Sequence, residues 1–355
     1  MDTQDVKSSE TANGAQASSL RYRRIVVKAG TGVLTGGTDH LDQTFMASLV
    51  AQIAHLHSQG AEIILVSSGA MATGRQVLGS LGSHRDIPFR QVLAAVGQGQ
   101  LMHIYETLFA PHHITVAQAL LTHHDLEDRV GYLNVRNTLL ALMDLRVVPI
   151  INENDVVASE EIGPVFGDND RLSALVANLV DADLLAILTD THGLYTADPD
   201  LDPNAQLIRR VERVDGAIAA LASKNHGPQS RGGMVTKLEA ARLAAASGVA
   251  VVICYGREPN VIPRLAQGEE IGTYFAPTAS KMESRKRWML SGLSTRGEIQ
   301  VDKGAAEALR KSNRSLLPAG VRGVSGRFSR GEIIYILDPQ GHRIACGIAN
   351  YSSDE

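Results

Sequence analysis

Two lysines of this chain lie beside glycines, a combination that suits the binding of phosphate. Lys28 ends an apolar, β-branched run and precedes Gly30 and Gly32, and Lys237 lies where a glycine cluster leads into a helical pattern. An ammonium group attracts phosphate oxygens, and glycine lets backbone N–H groups approach them. The spacing excludes a Walker P-loop, whose lysine follows its glycines, and a dinucleotide fingerprint, which requires a third glycine where Thr35 stands. Either lysine taken alone is more typical of an exposed residue.

Polar residues follow several predicted strands and could complete such a site. Ligands bind beyond the carboxyl ends of parallel strands, so these residues are expected at one edge of one sheet. Carboxylates there can orient lysines and metal-bound phosphates, while amides and a hydroxyl can bind a polar substrate. Each residue alone is more typical of a turn or a helix N-cap, so the hypothesis depends on the whole set. The set comprises Ser68, Asn152, Asn154, Asp155, Asp168, Asn169, Asp170 and Asp190.

Other kinds of chemistry are disfavoured by the sequence. The histidine pairs at 112–113 and 123–124 lack the spacing and the acidic partner of a zinc site, and the segment 67–70 is not a GxSxG motif. We therefore predict no protein metal site and no serine hydrolase. The two cysteines, Cys254 and Cys346, exclude a disulfide framework and suit a reducing compartment.

Short apolar runs alternate with helical patterns through most of the chain. Runs such as Glu62–Ser67 and Leu184–Leu188 predict strands. Apolar residues at three- and four-residue steps from Leu41 to Leu56 predict a helix, which Gly60 ends. This alternation predicts an α/β fold, a three-layer αβα sandwich with a mostly parallel central sheet. Near the C-terminus, short strands with turn signals predict a small β-rich domain.

Composition and charge indicate how the chain is divided. A length of 355 residues predicts two domains. The polar segment 1–22 lacks a signal-peptide core and is predicted to be a disordered tail, and no run is long enough for a membrane helix. Net charge is −4, yet residues 281–355 hold 13 Lys and Arg against 8 Asp and Glu. We predict a first domain over 23–280, a linker over 281–290 and a β-rich domain over 291–355, in a cytoplasmic protein.

Seven segments in order along 24–288 resemble the glutamate 5-kinases, a branch of the amino-acid kinase family. They are VVKAGTGVLTGG, ILVSSGAMATGR, VLAAVGQGQLM, PIINENDVV, FGDNDRLSALVA, ILTDTHGLYTADP and GGMVTKLEAA. The later segment SLLPAGVRGVSGRFSRGEIIYI resembles the PUA domain that many of these kinases carry. The resemblance implies the amino-acid kinase fold followed by a PUA-like domain. The chain stops at Glu355, where relatives usually continue, which leaves open whether this domain is truncated.

The resemblance also implies an activity. ATP would phosphorylate the γ-carboxylate of L-glutamate to give L-glutamyl 5-phosphate, the first step of proline biosynthesis, with feedback inhibition by proline. A carboxylate is already a nucleophile, so such a site must mainly neutralise charge, and Mg²⁺ is expected chiefly on the ATP phosphates. A homo-oligomer, either a dimer or a tetramer, is expected as well.

Residue roles follow from the same resemblance, motif by motif. Lys28, Lys237 and Asp170 would be catalytic, and Ser68, Asp155 and Asn169 would bind glutamate. ATP would be bound by a larger set, namely Lys28, Gly30, Thr189, Asp190, Arg231, Gly232, Gly233, Met234, Val235, Thr236 and Lys237. Two positions depart from the family pattern: Gly32 replaces a usual serine or threonine, and Ser230-Arg231 replaces a usual Gly-Thr. Arg231 could add a phosphate contact or obstruct the nucleotide.

Two alternatives stay open at this point. A sister enzyme of the same fold would phosphorylate acetylglutamate, aspartate or uridylate, although the segments INENDVV and GDND and the added β domain favour glutamate. An RNA-binding protein would use the basic C-terminal domain, but few aromatic residues are available there for base stacking.

Overall fold

The computed structural model describes residues 20–79, 87–127, 129–157, 169–199, 201–224, 233–280, 297–312, 316–330 and 332–355. Within these ranges the predicted α/β fold is confirmed, since an eight-stranded sheet carries helices on both faces and a separate four-stranded sheet follows. Most of the predicted tail and the whole predicted linker lie outside the described residues. Among the described residues, no helix is both long enough and apolar enough to cross a membrane.

The first sheet contains eight strands. They are β1 (Arg24–Ala29), β2 (Glu62–Ser67), β3 (Val116–Leu121), β4 (Val148–Glu153), β5 (Leu184–Thr189), β6 (Arg210–Val211), β7 (Ala250–Tyr255) and β8 (Thr273–Phe275). Their order across the sheet is β3-β4-β2-β1-β5-β7-β8-β6, and every neighbouring pair is parallel except β7 with β8. The carboxyl ends of β4, β2, β1 and β5 therefore meet at one edge of the sheet.

Helices connect these strands. They are α1 (Thr31–Thr35), α2 (Gln43–Ser58), α3 (Ala70–Leu78), α4 (Ile87–Phe109), α5 (His123–Glu127), α6 (Arg129–Asp144), α7 (Asn169–Leu179), α8 (Gly216–Lys224), α9 (Met234–Ala246) and α10 (Val261–Ala266). Asp42 caps α2 by accepting a hydrogen bond from the backbone N–H of Phe45 at 3.0 Å. Gly60, at φ +88°, follows the end of this helix as predicted.

The central strands are buried on both faces, which explains their continuous apolar runs. Side chains alternate along β1, so Ile25 and Val27 pack in the core formed with α2, α4 and α10, whereas Val26 packs in the core formed with α6, α7 and α9. Lys28 therefore points to the face covered by α7 and α9. This alternation decides which helices can reach the lysine.

Two glycines allow α3 and α4 to touch backbone to backbone. A Cβ atom on Gly74 would lie 2.0 Å from the carbonyl oxygen of Leu93, and one on Gly97 would lie 1.9 Å from the carbonyl oxygen of Ala70. No larger residue fits either position without separating the helices. The close crossing holds the start of α3 against the edge of the sheet, directly after β2.

The second sheet contains β9 (Gly297–Val301), β10 (Val321–Gly326), β11 (Ile333–Leu337) and β12 (Arg343–Ile348), and α11 (Lys303–Ser312) follows its first strand. The strand order is β10-β9-β11-β12, with β9 and β11 parallel and the outer pairs antiparallel. A small core of its own includes Val301, Phe328 and Ile334. The C-terminal residues thus form the separate β-rich unit that the sequence predicts.

Candidate active site

The predicted polar segments meet at one edge of the first sheet. Lys28 lies near the end of β1, and Ser68 follows β2, where its backbone N–H donates to the carbonyl oxygen of Ala29 at 3.0 Å. Asn152 lies at the end of β4, and Asp170 lies in the first turn of α7. Residues far apart in the sequence are brought together because parallel strands end at the same edge.

The side chain of Asp170 joins the two predicted lysines. One carboxylate oxygen lies 2.6 Å from Nζ of Lys28, and the other lies 3.2 Å from Nζ of Lys237. Thr236 also donates its hydroxyl hydrogen to Asp170, at 2.8 Å. The three ionic groups are nearly inaccessible to water, at 6% exposure for Lys28, 8% for Lys237 and 1% for Asp170. The two ammonium groups therefore contact the two oxygens of one buried carboxylate.

The electrostatics of this cluster favour a charged carboxylate between the two lysines. Burial by itself raises the pKa of Asp170, but the fields of Lys28 and Lys237 and the hydrogen bonds from Lys28 and Thr236 lower that pKa to about 2. Burial lowers the pKa of Lys237, the charge of Lys28 lowers it further, and Asp170 opposes both effects. The charge of Asp190 also raises the pKa of Lys237. Two ammonium groups held so close together in a region of low dielectric constant would attract the oxygens of a phosphate.

The start of α9 carries the second lysine. Gly233 precedes the first helical residue in an extended conformation without a side-chain cap, so the N–H groups of the first turn have no capping side chain. Met234 is buried, whereas Val235 is exposed. Such a helix start suits an anion. Arg231 and Gly232, predicted to bind ATP, lie outside the described residues.

The loops after β1 and β5 lie close together. Gly30 passes so near to Lys28 that a Cβ atom there would lie 3.0 Å from the lysine Nζ, whereas a Cβ on Gly32 would lie 3.8 Å from a carboxylate oxygen of Asp190. The hydroxyl of Thr189 donates to the other oxygen of Asp190 at 2.9 Å. The predicted nucleotide-binding residues at these two strand ends are thus neighbours, and Gly32 has room for the side chain that the family usually carries.

A cavity of about 100 Å³ lies next to the lysine cluster and contains the three predicted glutamate-binding residues. Its lining includes Ser68, Asn152, Asp155 and Asn169. The amide nitrogen of Asn169 donates to the Ser68 hydroxyl at 2.8 Å and to the Asn152 amide oxygen at 2.9 Å. Burial raises the pKa of Asp155, and the charge of Arg90 opposes this rise. These contacts order the polar lining before any ligand arrives.

Asn169 presents an acceptor that the described residues do not use. Its side chain is 95% buried, and its amide oxygen has no hydrogen-bond partner in the part of the chain that the structure describes. A buried acceptor without a donor is unfavourable, so a ligand that donates a hydrogen bond would be stabilised there. An ammonium group is one such ligand.

Several residues of the site lie in the segments that resemble the family but were not among the predicted site residues. The side-chain amide of Asn152 donates to Gln98 of α4 at 2.9 Å, and Thr31, Met71 and Arg75 line the cavity. The contribution of Gln98 depends on the crossing of α3 and α4, which no local pattern predicts. Asp168, a candidate from the sequence, lies outside the described residues.

Comparison with known proteins agrees with this geometry. A family model described as the amino acid kinase family matches residues 23–255, and a model of the PUA domain matches residues 297–355. A glutamate 5-kinase from Dehalococcoides mccartyi strain CBDB1 is 56% identical, covering 94% of this chain and 90% of its own length. Glutamate 5-kinases from Herpetosiphon aurantiacus and Chromohalobacter salexigens are 51% and 48% identical, covering 94% and 98% of this chain and 90% and 91% of their own lengths.

Two solved structures share the fold at low identity. A UMP kinase from Bacillus anthracis has a TM-score of 0.51 at 16% identity, covering 73% of this chain and 97% of its own. A carbamate kinase from Giardia lamblia bound to AMP-PNP has a TM-score of 0.50 at 17% identity, covering 72% and 99%. The structural likeness concerns the fold alone, whereas the sequence identities are specific. The chain therefore belongs to the amino acid kinase family, among its glutamate 5-kinases, and carries a C-terminal PUA domain.

Proposed function

We propose that this protein transfers the γ-phosphoryl group of ATP to the γ-carboxylate of L-glutamate, giving L-glutamyl 5-phosphate and ADP. The observation that carries the proposal is the bridge that Asp170 forms between Lys28 and Lys237 beside a polar cavity. The names of the curated relatives support glutamate as the acceptor. An assay with several acceptors distinguishes glutamate from the substrates of sister enzymes that share the fold.

The two lysines have the catalytic role in this proposal. Phosphoryl transfer between two anions is limited by their repulsion and by the charge on the phosphoryl oxygens. Lys28 and Lys237 supply positive charge on either side, and Asp170 holds both ammonium groups in place without neutralising them completely. Because the cluster is nearly closed to water, each charge acts in a medium of low dielectric constant. The substrate carboxylate acts as the nucleophile, so no general base is needed.

The cavity residues would bind glutamate. Ser68 lies next to the end of β1, the strand that carries Lys28, and we assign its hydroxyl and backbone N–H to the reacting γ-carboxylate. Asp155 and the free amide oxygen of Asn169 are acceptors, which suit the α-ammonium group. A partly buried carboxylate with a raised pKa gains from a cationic ligand, which restores the stability of its charged form.

ATP would lie across the loops after β1 and β5 and the start of α9. Gly30, Thr189, Asp190 and the segment 233–237 are the described residues that we assign to it, and Arg231 and Gly232 complete the proposed set. Mg²⁺, when bound, supplies charge that neutralises the phosphates. The donor set fits a metal held mainly by phosphates and water, because Asp170 already contacts two lysines and the described residues hold no group of three His, Cys, Asp or Glu side chains able to bind an ion.

Other parts of the proposal come from the family resemblance and not from the geometry. They are a place at the first step of proline biosynthesis, inhibition by proline, a cytoplasmic location and assembly into a dimer or tetramer. RNA binding by the PUA domain is not part of the proposal.

An ADP-release assay tests the proposed function. With ATP and Mg²⁺, L-glutamate should give saturable ADP release, whereas L-aspartate, N-acetyl-L-glutamate and UMP should not. The Asp170→Asn variant, purified in the same way, controls for contaminating kinases and should lose most of the activity. Proline should lower the rate with glutamate. Equal or greater activity with another acceptor would overturn the assignment of glutamate.

A further inference from the structure

The cavity assigned to glutamate contains an arginine that the proposed function leaves without a role. Arg75 lines it together with Ser68, Asp155 and Asn169. Its guanidinium makes no hydrogen bond or ion pair with any residue that the structure describes. It belongs to neither the lysine cluster nor the residues that we assign to ATP. A cation in a substrate cavity, with no anion to bind there, suggests that the substrate supplies the anion.

Arg75 is an exposed residue that lies further along α3 than the cavity residues that follow β2, and we assign it to the second end of the cavity. Ser68 marks the near end, because it is hydrogen-bonded to the backbone of Ala29, beside Lys28. Arg75 lies about 7.5 Å further along the axis of α3 than Ala70, the first helical residue. Helical side chains lean towards the N-terminus, so the guanidinium extends back over the turn that faces the cavity.

The chemistry of glutamate supplies a matching group at that end. Beyond its γ-carboxylate the molecule carries an ammonium group and a second carboxylate on the same carbon. Asp155 and the amide oxygen of Asn169 can accept hydrogen bonds from the ammonium group, but neither suits a carboxylate. The planar guanidinium of Arg75 matches a carboxylate with two parallel hydrogen bonds. The buried amide oxygen of Asn169, which no described residue contacts by a hydrogen bond, lines the same cavity as the arginine and suits a ligand that donates one.

We infer that Arg75 binds the α-carboxylate of the acceptor and thereby selects amino acids that carry this group. The inference rests on the proposed function, since it assigns a contact to the same substrate. 4-Aminobutyrate is the informative comparison, because it retains the ammonium group and the reacting carboxylate of glutamate and lacks only the α-carboxylate. Arg75 therefore discriminates between L-glutamate and 4-aminobutyrate. The lysine cluster does not, because both molecules carry the reacting carboxylate.

Steady-state kinetics of Arg75→Gln test the inference. The variant should raise the KM for L-glutamate about tenfold or more and leave kcat within about twofold, because this contact is the same in the ground state and the transition state. Its affinity for 4-aminobutyrate, measured as a substrate or as a competitive inhibitor, should not change. Arg75→Lys keeps the charge without the planar fork and should give an intermediate KM. Arg213→Gln is the matched control, since Arg213 is exposed beside the end of α9 opposite Lys237.

The possible results distinguish a failure of the proposed function from a failure of the role of Arg75. A wild-type protein without glutamate-dependent ADP release would refute the proposed function itself. An active wild type with an unchanged KM in Arg75→Gln would refute the role of Arg75 alone. Equal weakening of L-glutamate and 4-aminobutyrate would also refute it, because the arginine would then act on a group that both molecules share. Melting temperatures of Arg75→Gln, Arg75→Lys and Arg213→Gln equal to that of the wild type would show that these substitutions leave the fold intact.

Discussion

Replacing Asp170 by asparagine tests the electrostatic core of the site. The substitution keeps the shape of the side chain and removes its charge. Two ammonium groups, Lys28 and Lys237, would then remain in a region almost closed to water without the carboxylate that lies 2.6 Å from one and 3.2 Å from the other. We expect the variant to be less stable and nearly inactive.

The size of the loss of stability follows from the pKa of Asp170. Folding lowers this pKa from 3.8 to about 2, and a shift of this size corresponds to about 2 to 3 kcal/mol of stability. Because the folded-state pKa is lowered, the contribution is present above pH 3.8 and is lost as the pH falls through about 2. At pH 7 the free energy of unfolding should therefore fall by about 2 to 3 kcal/mol, at the lower end of the range for breaking a buried ion pair.

The lysines determine how this loss changes at alkaline pH. The pKa of Lys237 is already lowered by burial and by Lys28, and removing Asp170 lowers it further. A lysine whose pKa is lower in the folded state than in the unfolded state adds stability as the pH rises between the two values. The difference between the variant and the wild type should therefore shrink from pH 7 to pH 10.

Urea unfolding at pH 5, 7 and 10, followed by circular dichroism, measures this difference. Asp39→Asn, which removes the charge of an exposed aspartate, should stay within about 0.5 kcal/mol of the wild type throughout. In the ADP-release assay, kcat of Asp170→Asn should fall about 100-fold or more. If Asp170→Asn were as stable as the wild type at pH 7, the bridging carboxylate would not hold the two lysines, and the reasoning would be refuted.

Three further predictions concern catalysis, helix packing and the cysteines. Lys28→Ala should lower kcat about 100-fold or more with a smaller change in the KM for L-glutamate, and a raised KM alone would contradict its catalytic role. Gly97→Ala should lower the free energy of unfolding in urea by about 3 kcal/mol, because its Cβ would lie 1.9 Å from a carbonyl oxygen of α3. Gly99 is the control, since it lies on the same helix and an added Cβ would have nothing within 4 Å. Gly99→Ala should leave the stability unchanged or raise it by up to about 1 kcal/mol. Equal losses of stability in Gly97→Ala and Gly99→Ala would argue against the close helix crossing. Cys346 is half-buried, whereas Cys254 is buried and its pKa is raised by burial to about 12. Cys346 should therefore react first with a thiol reagent in the folded protein. Simultaneous modification of the two cysteines would contradict this order.

Much of the framework could be predicted from local patterns. The run Glu62–Ser67 was predicted to be a strand from its four consecutive apolar residues, Ile63 to Val66. Such a run is expected because both faces of a central parallel strand are covered. Boundaries that depend on backbone conformation were less accurate. The start of β3 is one such boundary: the apolar pattern extends from His113, but His113 has φ +55° after a short 3₁₀ helix, so β3 begins at Val116. The helix α3 was not predicted, because its path depends on its contact with α4.

The types and order of the site segments were determined by the sequence itself. Lysine beside glycine, and aspartate beside asparagine at the start of a helix, are local features that indicated the chemistry of phosphate. The family was indicated by the resemblance of seven segments in order along the chain. The tertiary structure decided which groups meet. Only the parallel arrangement of strands, the alternation of side chains along β1 and the placement of α7 and α9 on the same face bring one carboxylate between Lys28 and Lys237. Likewise, only the backbone contact between α3 and α4 places Arg75 in the cavity, because contacts between distant segments depend on packing that no short stretch of sequence contains.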